Sequence, residues 1–372
     1  MEWTPGIASI IREMPQGYED ACFDTGAIVR KRDIKNPDDL MMLDLFHLMT
    51  GCSLVEISTI STLAEIGEIS DVAFMKRFKN CNEWFKWIIS KIVSEGLILY
   101  KLPKSIEKYR VLAVDASDVV EKGRSKRIYR LHFALDIKKM HAALYNITTN
   151  KVGEKLSNFS FANGDLVLAD RIYGSFAGIK HCKNSGAEFI LRLRANGLSL
   201  CTEDGEKYNL FEHIKDKESG DIKVYAKSKE NELMPVRICF KKKDPEAIKK
   251  TQQRLHKRET KRQLTISDEA KAFNEYIVVV TSLDDSVNHS EVLNAYRFRW
   301  QVEMYFKRLK SILDFGELPK KMEDSIFAWL NGKLMIALLM EKIIGRATFS
   351  PKLESFEEYL ERDEVYEALG AV

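Results

Sequence analysis

Leu293–Leu313, LNAYRFRWQVEMYFKRLKSIL, reads as one helix with two different faces. At about 100° per residue, Tyr296, Arg299, Glu303 and Lys310 fall within an arc of roughly 60°. Phe298, Val302, Tyr305, Phe306, Leu309, Ile312 and Leu313 gather on another side as an apolar face. A helix that buries the second face presents the first outward in a single row of one carboxylate, two cations and a phenol. A carboxylate flanked by cations suits a site that binds both a divalent metal and phosphate oxygens. The alternative is a solvated face with chance charges, so further carboxylates must be sought elsewhere in the chain.

Two stretches upstream supply them. Tyr109–Asp115 (YRVLAVD) and Asp165–Asp170 (DLVLAD) each read as a buried strand ending in an acid. Between them Tyr129–Ile137 and Ala142–Thr148 read as strands paired antiparallel with the first, and Val152–Phe161 as a helix. Gly174–Asn184 reads as a helix and Glu188–Leu193 as a strand. Three meandering strands, a helix, then strand and helix again is the order of the RNase H-like fold, in which the first and fourth strands lie side by side. Asp115 and Asp170 then stand near each other at strand ends, where α/β sheets place their sites. Either acid alone is better explained by capping the next element. Three carboxylates in one pocket repel each other and need a cation.

The remainder divides around this frame. The first 35 residues show little periodicity. Asn36-Pro37-Asp38-Asp39 opens a helix that runs to about Gly51, and Ser53 caps another over Leu54–Ile66. Ser70-Asp71 starts a short helix, Val72–Lys79, and Asn82 caps a fourth through about Ser94. Helix, turn with Gly, short helix is the helix-turn-helix pattern, and its second helix offers Lys76, Arg77 and Lys79 to phosphates or bases. An ordinary helical bundle accounts for the same pattern. Leu102-Pro103 reads as a linker. Residues 196–274 read as a β-rich insertion, with strands Asp221–Lys227 and Met234–Lys241 and a basic helix Asp244–Gln263, before the strand Glu275–Ser282. Asp324–Ile344 is a strongly apolar helix that covers the sheet, and Ser355–Leu369 an acidic amphipathic one. The divisions are therefore 1–105, 106–195 with 275–345, 196–274, and 346–372.

The 372 residues carry a net charge of only +3, so overall charge names no partner. Its distribution says more: Lys241–Gln263 holds ten Lys or Arg against three acids, and Lys122–Lys139 seven against one. Such patches suit a polyanion, although a charge run also serves simply as a solvated face. Six scattered cysteines, none in a CxxC pair, read as reduced residues of a cytosolic protein. The amino-terminal MEWTPGIASIIREMP lacks the apolar core of a signal peptide, and the apolar run Leu334–Met340 is too short to span a bilayer.

Taken together, these motifs resemble those of the DDE insertion-sequence transposases that carry the YREK signature. Tyr296, Arg299, Glu303 and Lys310 match that signature at every interval, VLAVDAS matches the first acidic motif at Asp115, and VLADRIYG matches the second at Asp170. The resemblance covers roughly residues 105–345. Asp118 and Asp136 are neighbouring acids, but Asp115 directly ends its strand and fits the motif.

The resemblance implies an α/β, RNase H-like catalytic domain interrupted by a β-rich insertion, with an N-terminal helical DNA-binding domain and a C-terminal helical region. It implies that Asp115, Asp170 and Glu303 hold two Mg²⁺ ions, which Mn²⁺ can replace, about 3.5–4 Å apart for phosphoryl transfer. No covalent protein–DNA intermediate is then needed, and Tyr296 contacts a phosphate or base instead of acting as nucleophile. Arg299 and Lys310 hold phosphates beside the cut, Arg through its two-pronged geometry and Lys as a point charge. Lys307 and Arg171 complete the candidate DNA contacts. The implied partners are the terminal inverted repeats of a transposon, target DNA and a second copy of the chain, with no membrane. The implied activity is cut-and-paste transposition in a bacterial or archaeal cytoplasm, at the nucleoid. The rival readings are an RNase H-like nuclease without strand transfer and a domesticated copy that only binds DNA.

Overall fold

The computed structural model describes residues 5–95, 102–121, 128–315, 317–318 and 325–346. The acidic stretch Ser355–Leu369 lies outside the described residues, as does most of the 346–372 division.

Six helices lead the chain: α1 (Pro5–Arg12), α2 (Tyr18–Asp24), α3 (Pro37–Thr50), α4 (Leu54–Leu63), α5 (Asp71–Asn80) and α6 (Asn82–Glu95). Three of the four start signals act as expected, whereas Asn82 is itself the first residue of α6 and its side-chain amide donates to Glu83 at 2.8 Å. Asn36 accepts the amide of Asp38, Ser53 closes a capping box with Glu56, and Ser70 accepts the amide of Ala73. Gly51 ends α3 at φ 70°, a left-handed position that glycine adopts without strain. The weakly periodic first 35 residues are nonetheless helical in α1 and α2, whose Ile7, Ile10 and Cys22 are buried. Their helices are too short to show a period, and packing decides them.

The strands are β1 (Arg110–Glu121), β2 (Ile128–Asp136), β3 (His141–Thr149), β4 (Asp165–Ala169), β5 (Glu188–Arg192), β6 (Leu200–Cys201), β7 (Ser219–Lys227), β8 (Leu233–Lys242), β9 (Tyr276–Thr281) and β10 (Glu317–Leu318). They form one mixed sheet in the order β3-β2-β1-β4-β5-β9-β8-β7-β6, with β10 beside β1. The first and fourth strands are neighbours and run parallel, as expected. One expectation fails: Val152–Phe161 is not a helix, and only Leu156–Asn158 makes a 3₁₀ turn. Within residues 196–274, β7 and β8 pair with each other as expected, and β8 also pairs with β9, so the central sheet continues through this stretch.

The later helices are α7 (Phe176–Asn184), α8 (Leu210–Ile214), α9 (Pro245–Arg262), α10 (Asp268–Phe273), α11 (His289–Arg297), α12 (Trp300–Leu313) and α13 (Ile326–Arg346). Side-chain alternation splits the core in two. Val111, Ala113, Phe133, Leu166 and Leu168 face the cluster that contains the N-terminal helices, α12 and α13. Leu112, Val114, Val167 and Ala169 face the cluster around α7 and α8. Helix α13 packs mainly on α6 and α3 and reaches the sheet at β3, so it joins the leading helices to the sheet more than it covers the sheet.

Candidate functional site

In the β1–β4 pair, Ala113 lies opposite Leu168 and Val114 opposite Ala169. The next residues along the two chains are Asp115 and Asp170. Both have the parity of Ala113 and Leu168, so both belong to the face that carries α12. Asp115 does not end its strand: β1 runs on to Glu121 with β2 as partner, and it is β4 that stops one residue before Asp170. Asp115 therefore stands where one side of its strand loses its neighbour.

Helix α12 is fixed over this point. Phe133, the cross-strand partner of Asp115, stacks on Tyr305 with ring centroids 4.7 Å apart and touches Phe306 at 5.6 Å. The apolar face read from the sequence is buried at Phe298, Val302, Tyr305, Phe306 and Leu309. The single helix is not. Phe298 and Arg299 separate α11 from α12 through a run of i→i−3 hydrogen bonds, including Arg299 N–H to the Tyr296 carbonyl at 3.0 Å. The tight turn resets the helical phase, and the four residues do not form one outward row. Tyr296 and Arg299 are 2% and 4% exposed, whereas Lys310 and Lys307 are exposed.

The electrostatics join the three acids. Burial pushes the Asp115 carboxyl up to about 7, and repulsion from Asp170 and Glu303 adds to it, against the Ala116 amide and Arg299. One oxygen of Asp115 accepts the Ala116 amide at 2.8 Å and one of Asp170 the Ile172 amide at 2.9 Å. The second oxygen of each takes no hydrogen bond among the described residues. Glu303, in the first turn of α12, accepts a short hydrogen bond from the Arg299 guanidinium. Burial opposes the charge on Arg299, but Tyr296, Glu303 and Asp115 together hold its pKa above the ordinary arginine value. Among the described residues, no three His, Cys, Asp or Glu side chains are grouped closely enough to hold a metal ion.

Asp118 and Asp136 are committed elsewhere. Asp118 pairs across the strands with Arg130 at 2.7 Å, and Asp136 accepts the Lys139 amide at 3.0 Å.

Several residues at this site were not identified from sequence. Glu154 is a further acid in the field of Asp170, and Arg130 lies 3.6 Å from it. Tyr173 is 1% exposed, and its hydroxyl has no hydrogen-bond partner among the described residues. Leaving such a group unpaired costs roughly 1–3 kcal/mol. Tyr173 sits three residues after Asp170 in VLADRIYG, a spacing that could have drawn attention to it. On the far side of Asp170, burial and Arg192 push Arg171 down to about 10. Burial, Arg192, Arg171 and Arg254 push Lys243 down to about 7, and its ammonium donates to Thr251 at 3.0 Å. Arg192 is buried without a side-chain hydrogen bond among the described residues. These cations come from β5, the β4 loop and the insertion, and only the sheet order brings them together. The loop after Asp170 is pressed onto β5: a Cβ on Gly174 would lie 2.4 Å from the Arg192 carbonyl oxygen, so only glycine fits there.

At the other candidate site, Lys76 and Lys79 are exposed on α5, but Arg77 turns inward and donates to the Ile34 carbonyl at 3.1 Å. The turn between α4 and α5 runs from Ala64 to Ser70, longer than the roughly three or four residues of a tight helix-turn-helix.

An α/β chain with paired strand acids under a glutamate-bearing helix belongs to the DDE transposases: the family model for the transposase DDE domain matches residues 106–339. The chain is similar to the transposase of the insertion sequence element IS421 of Escherichia coli, 25% identical over 352 residues, which covers 92% of this chain and 94% of that one. It also resembles the transposase of IS1151 of Clostridium perfringens, 27% identical over 198 residues, covering 48% and 42% of the two chains. The likeness to insertion-sequence transposases thus extends across nearly the whole length, into the N-terminal helices. No helix among the described residues is long and apolar enough to cross a membrane.

Proposed function

We propose that this chain moves an insertion sequence by cutting at its ends and joining them to target DNA, with Asp115, Asp170 and Glu303 as the catalytic acids of an RNase H-like domain. The observation that carries the reading is the parallel pairing of β1 and β4, which brings Asp115 and Asp170 to the same end of neighbouring strands just past their last paired residues, on the face where the Glu303 helix stacks on Phe133, the cross-strand partner of Asp115. Carboxylates brought toward one another there repel, and divalent cations would relieve that repulsion.

The donor set fits Mg²⁺ or Mn²⁺: all ligands are carboxylate oxygens, and an oxygen on each aspartate is free of hydrogen bonds. Two such ions, when bound, lower the pKa of the attacking water or 3′-hydroxyl and stabilise the leaving 3′-oxygen. The protein's own part is positioning and charge. Arg299 holds Glu303 in place until the ligands assemble and then offers its guanidinium to a phosphate beside the cut. Tyr296, buried beneath it with the ring centroid 5.9 Å from the guanidinium carbon, supports that arginine and reaches DNA only if the pocket opens. Lys310 and Lys307 offer exposed charges along α12, and Arg171, Arg192 and Lys243 form a cationic floor that a phosphodiester would neutralise.

On this reading the N-terminal helices recognise the transposon's terminal repeats through Lys76 and Lys79, with Arg77 bracing α5. A second copy of the chain pairs the two ends. Incubating the protein with Mg²⁺ and a plasmid carrying the element's ends tests the reading: double-strand release followed by insertion into a target plasmid is expected. Cleavage without joining of a precut 3′-hydroxyl end would leave a nuclease. Binding without cleavage would leave a DNA-binding protein.

A further inference from the structure

At about 100° per residue, Lys250, Arg254, Lys257 and Lys261 of α9 fall within an arc of roughly 60°. All four are exposed. The side of α9 turned to the protein carries Ile248, Thr251 and Leu255, of which Thr251 is buried and the other two half-buried. Like charges three and four residues apart destabilise a helix, so the row does not serve the helix's own stability. Glu246, in the first turn, offsets only Lys250 in this row. Glu259 lies across the helix and is engaged by the Ile266 amide at 2.9 Å and by Lys271 at 3.1 Å. The row spans about 16 Å with one sign of charge, which suits the phosphate backbone of a duplex.

The place of this row in the fold decides which duplex it meets. The foot of α9 is tied to the loop that follows Asp170. Arg171 donates to the Asn274 side chain at 3.1 Å. The next residue, Glu275, accepts the Gln252 side-chain amide at 2.9 Å and, through its carbonyl, the Lys243 amide at 2.9 Å. The Lys243 ammonium in turn donates to Thr251 at 3.0 Å. Across the sheet, β3 meets α6 and α13, β1 and β4 lead into Asp115 and Asp170, and β5, β9 and β8 continue towards α9. At about 4.8 Å per strand, β8 lies roughly 14 Å beyond β4, on the side away from the N-terminal helices. A duplex held by those helices and entering the site at β1 and β4 therefore runs on, past the cut, towards α9.

We propose that α9 grips the backbone of the duplex that flanks the element, outside the cut, without reading its sequence. This role rests on the proposed cutting site at Asp115 and Asp170 and on end recognition by the N-terminal helices, and it adds a third DNA surface to those two.

Two duplexes test it by fluorescence anisotropy in EDTA over a range of salt. One carries the element's terminal repeat with about 20 base pairs of flank, more than twice the length of α9. The other ends at the cut. Lys257→Ala with Lys261→Ala should reduce the slope of log affinity against log salt by about two on the flanked duplex and leave it unchanged on the precut one. Lys257→Arg with Lys261→Arg should keep the wild-type slope on both, since a cation remains at each position. Replacing the flank with unrelated sequence should leave wild-type affinity within about twofold. An unaltered slope on the flanked duplex would make α9 a solvated face, and an equal loss on both duplexes would put its contact inside the element. Either result overturns the proposal. Melting temperatures check the fold. Should the double variant melt early, Lys261→Ala alone should reduce the flanked slope by about one, and no reduction overturns the proposal. Cleavage of the flanked duplex in Mg²⁺ reads the proposed function separately. Wild type that binds but does not cut strikes that function and the flank assignment with it, whereas cutting with an unaltered slope strikes only the role of α9.

Discussion

The carboxylate pocket and the N-terminal helix pair treat polar side chains in opposite ways. In α4 and α5 the helix starts are satisfied close to home, with Ser53 and Ser70 capping their own helices, and Lys76 and Lys79 are exposed, although Arg77 reaches back to the Ile34 carbonyl. In the pocket an arginine and two tyrosines are buried and the three acids are half-buried, and among the described residues the Tyr173 and Tyr296 hydroxyls have no hydrogen-bond partner. A surface that is complete by itself can meet DNA through charge and shape. A pocket that is incomplete by itself is built for ligands still to come. The contrast is energetic, and it can be broken by mutation.

The largest effect should come from emptying the pocket. Asp115→Ala, Asp170→Ala or Glu303→Ala should each lower strand cleavage by about a thousandfold or more, because on the proposed reading each removes a metal ligand. Binding to end DNA, followed by gel shift, should persist. A variant that still cuts at the wild-type rate would remove that residue from the proposed set. Next comes Arg299→Ala, which removes the Arg299 partner of Glu303 and, on the proposed reading, the two-pronged contact to the cut phosphate. A loss of about 10–100-fold in cleavage is expected, and Arg299→Lys should recover little of it because a point charge cannot replace the two-pronged contact.

Asp115→Asn sharpens the comparison from the side of stability. The folded carboxyl is raised from 3.8 to about 7. For an acid shifted upward, the native state binds more protons than the unfolded state between those values, so stability falls as pH rises through that window. The destabilisation is complete above about pH 7. In EDTA at pH 8, Asp115→Asn should therefore be more stable than wild type, by on the order of 2 kcal/mol after allowing for solvent screening. At pH 4 the two should unfold alike. Chemical denaturation at both pH values measures this. A variant less stable than wild type at pH 8 would mean that the pocket bears no such cost.

The same contrast governs how much could be read from the chain alone. The caps at Asn36, Ser53 and Ser70 were legible because each helix carries its own signal within three residues. Asp115 and Asp170 were legible because apolar runs lead into them, and the adjacency of β1 and β4 followed from their order. The break at Phe298–Arg299 was not legible: both residues keep right-handed helical dihedrals, and only the hydrogen-bond pattern tightens. The burial of Tyr296 and Arg299 follows from that break. Arg192 and Lys243 were invisible as a pair because sheet pairing of β5, β9 and β8, which no local pattern specifies, brings them together. The division at residue 196 was drawn from polarity, and the sheet runs through it because β8 has the alternation that suits β9.

The exposed lysines of α5 should give a smaller effect than any change in the pocket. Lys76→Ala with Lys79→Ala should weaken end binding and reduce the slope of log affinity against log salt by about two, if each meets one phosphate. Cleavage of DNA already bound should be unchanged. An unaltered slope would move DNA contact away from this helix, with the basic face of α9 as the next place to look.

Ser70→Ala gives the smallest effect and tests the local half of the comparison. The Ser70 hydroxyl accepts the Ala73 amide at 3.2 Å at the start of α5, and alanine there leaves that amide to water alone. The loss should be about 1 kcal/mol, because the helix end is exposed and water replaces part of the bond. Ser70→Asp keeps the acceptor and adds a charge that suits a helix N-terminus, so it should restore or slightly exceed wild-type stability. Neither substitution should alter Mn²⁺ affinity, because the cap is satisfied within its own turn and has no part in the carboxylate cluster. Denaturant midpoints and Mn²⁺ titrations on the same samples read both quantities. If Ser70→Ala changed metal affinity as strongly as stability, the two regions would be energetically coupled, and their contrast would describe one cooperative unit instead of two differently built sites.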